Sequence, residues 1–253
     1  VLKKSSNICA AKIGMSMPPT RFHEYIMRFG FGRRSNSGIA AEATGRVISP
    51  KKWQTIDHAN ISFGQAILVS PLQMVSAANV FANEGEWVPP FIVEYAVDKN
   101  GNKLQEIKDV GGKVSHKFGL GVRSRVVEGS VAELVKKYLI SVTQKGGTAQ
   151  KAAILGYQVA GKTGTSQIYD QQLGRYSQTR YIASFVGFAP ASDPLVTVLV
   201  VVEQPRTSIY GGTIAAPIFK EIVQRTLLFK DVLPFPEENS EGTTALLETT
   251  VIQ

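Results

Sequence analysis

Polar and apolar positions alternate at helical spacing early in the chain. After Pro18-Pro19-Thr20, the residues Phe22, Tyr25, Ile26 and Phe29 recur at i, i+3, i+4 and i+7, and Gly30 closes the run, which predicts an amphipathic helix. A sharper start follows at Ser70-Pro71-Leu72-Gln73: an N-cap serine, a proline at the first helical position and a capping-box glutamine predict a helix to about Asn83, closed by Gly85. Residues 86–123 change character, with Trp87, Phe91, Ile92, Val93 and Tyr95 before the turn Asp98-Lys99-Asn100-Gly101, and read as a hairpin insertion. A helix is expected from about Ser124 to Gln144, ended by Gly146-Gly147.

The last third reads as strands. Tyr157 to Gly161 leads into Lys162-Thr163-Gly164-Thr165, followed by Tyr181 to Ala189 and Val196 to Glu203. Pro190-Ala191-Ser192-Asp193-Pro194 lies between the last two, and the connection is too short for a helical crossover, so they are expected to pair antiparallel. Pro217 to Leu228 reads as a covering helix, and residues 231–253 as a polar, turn-rich tail. The pattern is that of an α+β fold: an antiparallel sheet flanked by helices plus a mostly helical lobe built from 1–85 and 124–146, with 155–230 supplying the strands and their cover.

Composition narrows this picture only a little. With 253 residues, 43% of them apolar, the chain is long enough to bury a core, so disorder is excluded. Its 28 Lys and Arg against 20 Asp and Glu give +8, but the basic residues are scattered pairs without interleaved aromatics, so no nucleic-acid partner is expected. The single cysteine, Cys9, sits in Ile8-Cys9-Ala10-Ala11 and is expected to be a small buried residue. His23, His58 and His116 have no metal-box spacing and are expected at the surface or satisfied, so no metal and no cofactor is assigned. No apolar run reaches the roughly 20 residues a membrane helix needs. The chain opens on Val1, which reads as a fragment of a longer protein.

Two short motifs carry the chemistry. Lys162-Thr163-Gly164-Thr165 at a strand edge sets an amine and hydroxyls where they can hold a carboxylate, with Gly164 leaving the backbone open to a ligand. Ser5-Ser6-Asn7 gives Ser-x-Asn ahead of the apolar run Ile8 to Ile13, and taken alone looks like helix capping. The two stand in the order in which Ser-x-Asn and Lys-Thr-Gly occur in penicillin-binding proteins. Phe63-Gly64-Gln65, Ser70-Pro71-Leu72-Gln73-Met74, Gly146-Gly147-Thr148-Ala149 and Tyr210-Gly211-Gly212 with Ala215-Ala216-Pro217 extend the likeness. Over about residues 1–230 the chain resembles the transpeptidase domain of class B, monofunctional penicillin-binding proteins.

The resemblance implies a serine acyl-enzyme D,D-transpeptidase of peptidoglycan synthesis, with peptide stems as substrate, β-lactams as mimics, and other cell-wall or division proteins as partners. It places the protein on the outer face of the bacterial cytoplasmic membrane, with its anchor upstream. It implies roles for Ser5 and Lys162 in proton shuttling, Asn7 at the substrate carbonyl, Thr163 and Thr165 at the substrate carboxylate, the Thr165 N–H as oxyanion donor, and Gly164, Tyr210, Gly211 and Gly212 along the same cleft. The family's Ser-x-x-Lys should precede Ser-x-Asn by some tens of residues, whereas four residues precede Ser5, so the domain is expected to be N-terminally truncated and inactive alone. Ser49-Pro50-Lys51-Lys52 fits the same letters but follows Ser-x-Asn, and is read as chance. Two alternatives remain. A non-catalytic scaffold would share the fold, and Gly156 to Thr163 matches the P-loop pattern, although its interior reads as strand and no helix signal follows.

Overall fold

The computed structural model describes residues 1–234 except 36, 40, 105, 109, 113 and 118–120. Most of the expected tail, 235–253, therefore lies outside the described residues, as does the side chain of His116.

Six α-helices are described: α1 Asn7–Met15, α2 Pro19–Arg28, α3 Thr55–Ser62, α4 Pro71–Ala82, α5 Gly129–Thr143 and α6 Gly211–Phe229. Three two-stranded ribbons occupy 86–125: β1 Glu86–Trp87 with β6 Ser124–Arg125, β2 Ala96–Val97 with β3 Lys103–Leu104, and β4 Glu106–Lys108 with β5 Val114–Lys117. The main sheet is antiparallel, in the order β7 Ala160–Asp170, β8 Arg175–Ala189, β9 Val196–Glu203.

The sheet is the middle layer because β8 is apolar on both faces. Phe185 points to α6, where it meets Phe219 edge to face at 4.8 Å, within a core that includes Val142, Val200, Ala215 and Val223. Phe188, three residues on and so on the opposite face, packs with Leu139 of α5, Ala160, Phe81 and Leu2. That second cluster fixes the site, because it anchors the short 3-10 turn Leu2–Lys4 against the start of β7.

The helix at 19–28 and the strand at 196–203 form where the pattern predicts. At α4 the capping box is present in full: Ser70 Oγ accepts from the Gln73 N–H at 3.1 Å, and Gln73 Oε1 accepts from the Ser70 N–H at 3.0 Å. The buried Gln73 amide also donates to the carbonyls of Arg33 and Thr44, so one side chain caps a helix and ties down a long loop. Ser70→Ala is expected to lower the unfolding free energy by about 1 kcal/mol, and Ser70→Asp to keep most of it, both read from urea unfolding.

Five expectations are corrected. The helix expected from Ser124 starts at Gly129, because Ser124 and Arg125 pair with Trp87 and Glu86, and Arg125 donates to the Glu86 carboxylate at 3.0 Å. Tyr157 makes only an isolated bridge to Ile154 across a turn, Gln158 and Val159 are irregular, and the strand begins at Ala160. β8 starts at Arg175 instead of Tyr181: a polar hairpin continues β7 and β8 past the core, held by edge-to-face Tyr169 and Tyr176 and an Arg180–Asp170 ion pair. α6 begins at Gly211, leaving Pro217 inside the helix.

The fifth concerns two side chains. Cys9 is exposed, because α1 turns its smallest residues, Ala10, Ala11 and Gly14, inward, and a Cβ on Gly14 would stand 2.0 Å from Ser62 Oγ of α3. His58 is buried against Phe22 and Trp53, with ring centroids 5.4 and 5.5 Å away, and its Nε2 has no hydrogen-bond partner.

Candidate active site

β7 is an edge strand, paired only with β8 among the described residues, with Lys162 opposite Val186, Thr163 opposite Phe185 and Gly164 opposite Ser184. Beside it runs the turn of Leu2–Lys4. Its exit residue, Ser5, is left-handed at φ 52°, ψ 49°, and donates its N–H to Leu2 O at 3.1 Å. This is a costly conformation for serine, held here by the partly buried Leu2 side chain before it and by α1 after it. Ser6 caps α1 by accepting from the Cys9 N–H at 3.3 Å. The two serines thus divide the work: Ser6 closes the helix, and the Ser5 side chain remains available to β7.

Lys162 Nζ donates to Ser5 Oγ at 2.7 Å and to Thr163 O at 2.7 Å, with Thr163 Oγ1 at 3.5 Å. Three acceptors are the complement of an ammonium with three hydrogens. Burial disfavours the charge and lowers the lysine pKa to about 8, so the group stays cationic at neutral pH while holding its proton weakly. A cation of this kind beside a hydroxyl can hold an anion, and within one pH unit it can exchange a proton.

The structure brings Ser5, Lys162, Thr163 and Gly164 into one place. Asn7, Thr165 and Tyr210 are exposed at its margin: Asn7 opens α1 and Tyr210 precedes α6. The glycines also serve packing. A Cβ on Gly164 would stand 2.4 Å from Ser184 Oγ, so on that side the neighbouring strand fills the space. A Cβ on Gly211 would meet Ser184 O at 2.0 Å and Gly164 O at 2.7 Å, and one on Gly212 would meet Thr148 O at 2.0 Å. Gly211 and Gly212 therefore let α6 press its first turn against the backbone behind the motif, where a side chain would hold it away.

One contact went unread in the sequence. Thr148 Oγ1 lies 3.1 Å from Thr163 Oγ1, extending the polar chain from Ser5 through Lys162 and Thr163 to the loop after α5. The glycines before Thr148 signal a turn, but nothing local says which hydroxyl it meets.

The P-loop reading does not survive. Lys162 and Thr163 lie inside an antiparallel strand that continues to Asp170, whereas a phosphate-binding loop must open a helix in a parallel sheet. Ser49 and Lys52 are exposed at either end of a 3-10 turn, and no hydrogen bond joins their side chains. Among the described residues no cluster of His, Cys, Asp or Glu could hold a metal ion.

The model of the penicillin binding protein transpeptidase domain matches residues 1–224. A probable peptidoglycan D,D-transpeptidase PenA of Neisseria flavescens is 32% identical over 92% of this chain and 53% of its own length. The peptidoglycan D,D-transpeptidase FtsI of Escherichia coli is 33% identical over 92% of this chain and 36% of its own length. The chain thus spans about half or less of these relatives. Among solved structures, penicillin-binding protein 3 of Mycobacterium tuberculosis complexed with ampicillin superposes with a TM-score of 0.84 at 29% identity, over 94% of this chain and 52% of that one. The unliganded transpeptidase domain of Burkholderia pseudomallei penicillin-binding protein 3 gives 0.75 at 33% identity, over 92% of this chain and 64% of that one. With the Ser-x-Asn and Lys-Thr-Gly elements in contact on the same α+β frame, the chain belongs to the class B penicillin-binding protein transpeptidase family.

Proposed function

We propose that these residues are the substrate-holding part of a peptidoglycan D,D-transpeptidase whose nucleophilic Ser-x-x-Lys lies outside them. The observation that carries the reading is the 2.7 Å contact between Lys162 and Ser5, which joins the two motifs into one partly buried pair able to exchange a proton. A scaffold with no turnover has no need of a desolvated ammonium, whereas acyl transfer does.

In this reading the stem's terminal carboxylate sits on the hydroxyls of Thr163 and Thr165, in the positive potential of Lys162. The nucleophilic serine oxygen bonds to the carbonyl carbon of the penultimate D-alanine, and the bond to the terminal D-alanine nitrogen breaks. The serine's proton passes to that leaving amine, with Ser5 and Lys162 as the relay. The Thr165 N–H donates to the developing oxyanion and Asn7 to the stem peptide, and the acyl group then moves to an amine of a neighbouring stem. A β-lactam would enter by the same carboxylate, and the solved relative is itself complexed with one, ampicillin. Such a substrate places the protein on the outer face of the cytoplasmic membrane, beside other wall-synthesis proteins. No helix among the described residues is long and apolar enough to cross a membrane.

Intact mass after incubation with a labelled penicillin tests this. The full-length protein is expected to gain one adduct and the 253-residue chain none. An adduct on Ser49 of the short chain would overturn the assignment of the nucleophile, and an unlabelled full-length protein would leave the scaffold.

A further inference from the structure

We propose that Thr148 is a positioning residue that aims the Thr163 hydroxyl at the substrate's carboxylate; this rests on the transpeptidase reading above. Thr148 follows two glycines in the loop after α5 and is held on both sides. Its carbonyl abuts Gly212, where a Cβ would come within 2.0 Å, and the next residue, Ala149, is fully buried with its N–H donating to Val142 O at 3.0 Å. A backbone fixed in this way presents its hydroxyl at one place, 3.1 Å from Thr163 Oγ1.

The neighbours of Thr163 give that contact a direction. Its oxygen already faces the Lys162 ammonium at 3.5 Å, which brings only donors. When Thr148 also donates to it, the Thr163 oxygen accepts on two sides, and its own hydrogen is left pointing outward. In the order Thr148 to Thr163 to carboxylate every hydroxyl hydrogen has an acceptor, and each bond polarises the next. With the opposite order, Thr163 donating to Thr148, the hydrogen that should meet the carboxylate is withheld. Gly212 links this to the fold: the first turn of α6 sets the position of Thr148, and Thr148 sets the direction of Thr163.

The test uses the full-length protein and ampicillin, separating affinity of the initial complex from the rate constant of acylation. Thr148→Val keeps the shape and removes the donor, and is expected to weaken the initial complex about fivefold while the acylation rate constant stays within about twofold. Thr148→Ser, which restores the hydroxyl, should bind within about twofold of wild type. In a Thr163→Val background, Thr148→Val should cost nothing further, because it acts only through the hydroxyl already removed. Unchanged binding by Thr148→Val, equal damage from Thr148→Ser, or multiplied losses in the double variant would each overturn the proposal while the transpeptidase reading stands. A wild-type protein that ampicillin does not acylate would remove both.

Discussion

Exchanging Lys162 for methionine is expected to slow acylation of the full-length protein by ampicillin by about 100-fold or more. Methionine matches the lysine stem in length, so β7 should keep its pairing, but Ser5 and Thr163 lose their common donor and the carboxylate loses its cation. The same residue sets a pH signature. With a folded pKa of about 8, the wild-type complex with a carboxylate should weaken as pH rises through 8. Stability should move the opposite way. Below about 8 the lysine is charged in both folded and unfolded chains, and the cost of burying it is present in full. Between 8 and the ordinary 10.5 the unfolded chain binds more protons, so stability attributable to this group rises with pH. Urea unfolding from pH 7 to 10.5 on wild type and Lys162→Met checks the sign, and a difference that does not vary with pH would rule out a desolvated ammonium.

Gly211→Ala should lower stability by about 3 kcal/mol and carry ampicillin acylation down with it. Propensity alone argues the reverse, since alanine in a helix is worth about 1 kcal/mol over glycine. Sterics win because both atoms that the new Cβ meets, Ser184 O and Gly164 O, belong to backbone paired across β7 and β8 and cannot swing aside. The helix start must retreat, which withdraws Gly212 from Thr148 and loosens the strand that carries Lys162. Urea unfolding together with acylation kinetics measures both. A variant as stable as wild type would show that α6 does not press on the motif as described.

What could be read from the sequence is what local chemistry decides. The capping box at Ser70 and Gln73, the periodic helix at 19–28, and the β-branched run of β9 carry their signals within a few residues, and they formed as read. The failures share one cause, which is a distant partner. Ser124 and Arg125 became strand because Glu86 was there to pair with. The polar residues of 175–180 became strand because β7 had already been laid down beside them. α6 started at two poor helix formers because their smallness against Ser184 and Thr148 outweighed their propensity. Lys162-Thr163-Gly164-Thr165 and Ser5-x-Asn7 were legible as motifs. That Thr148 joins them was not, since a hydroxyl's partner is chosen by packing that no short pattern encodes.

The Lys162 to Ser5 bond spans 157 positions of sequence, and the loop and helix start that support it arrive 143 and more residues after Ser5. Closing so large a loop costs entropy before any contact returns it. On a ribosome, the first half of the site must therefore wait, incomplete, until α6 has emerged and docked on the sheet. The site is a product of the finished fold, and local opening of α6 is enough to dismantle it while most of the helical lobe stays in place.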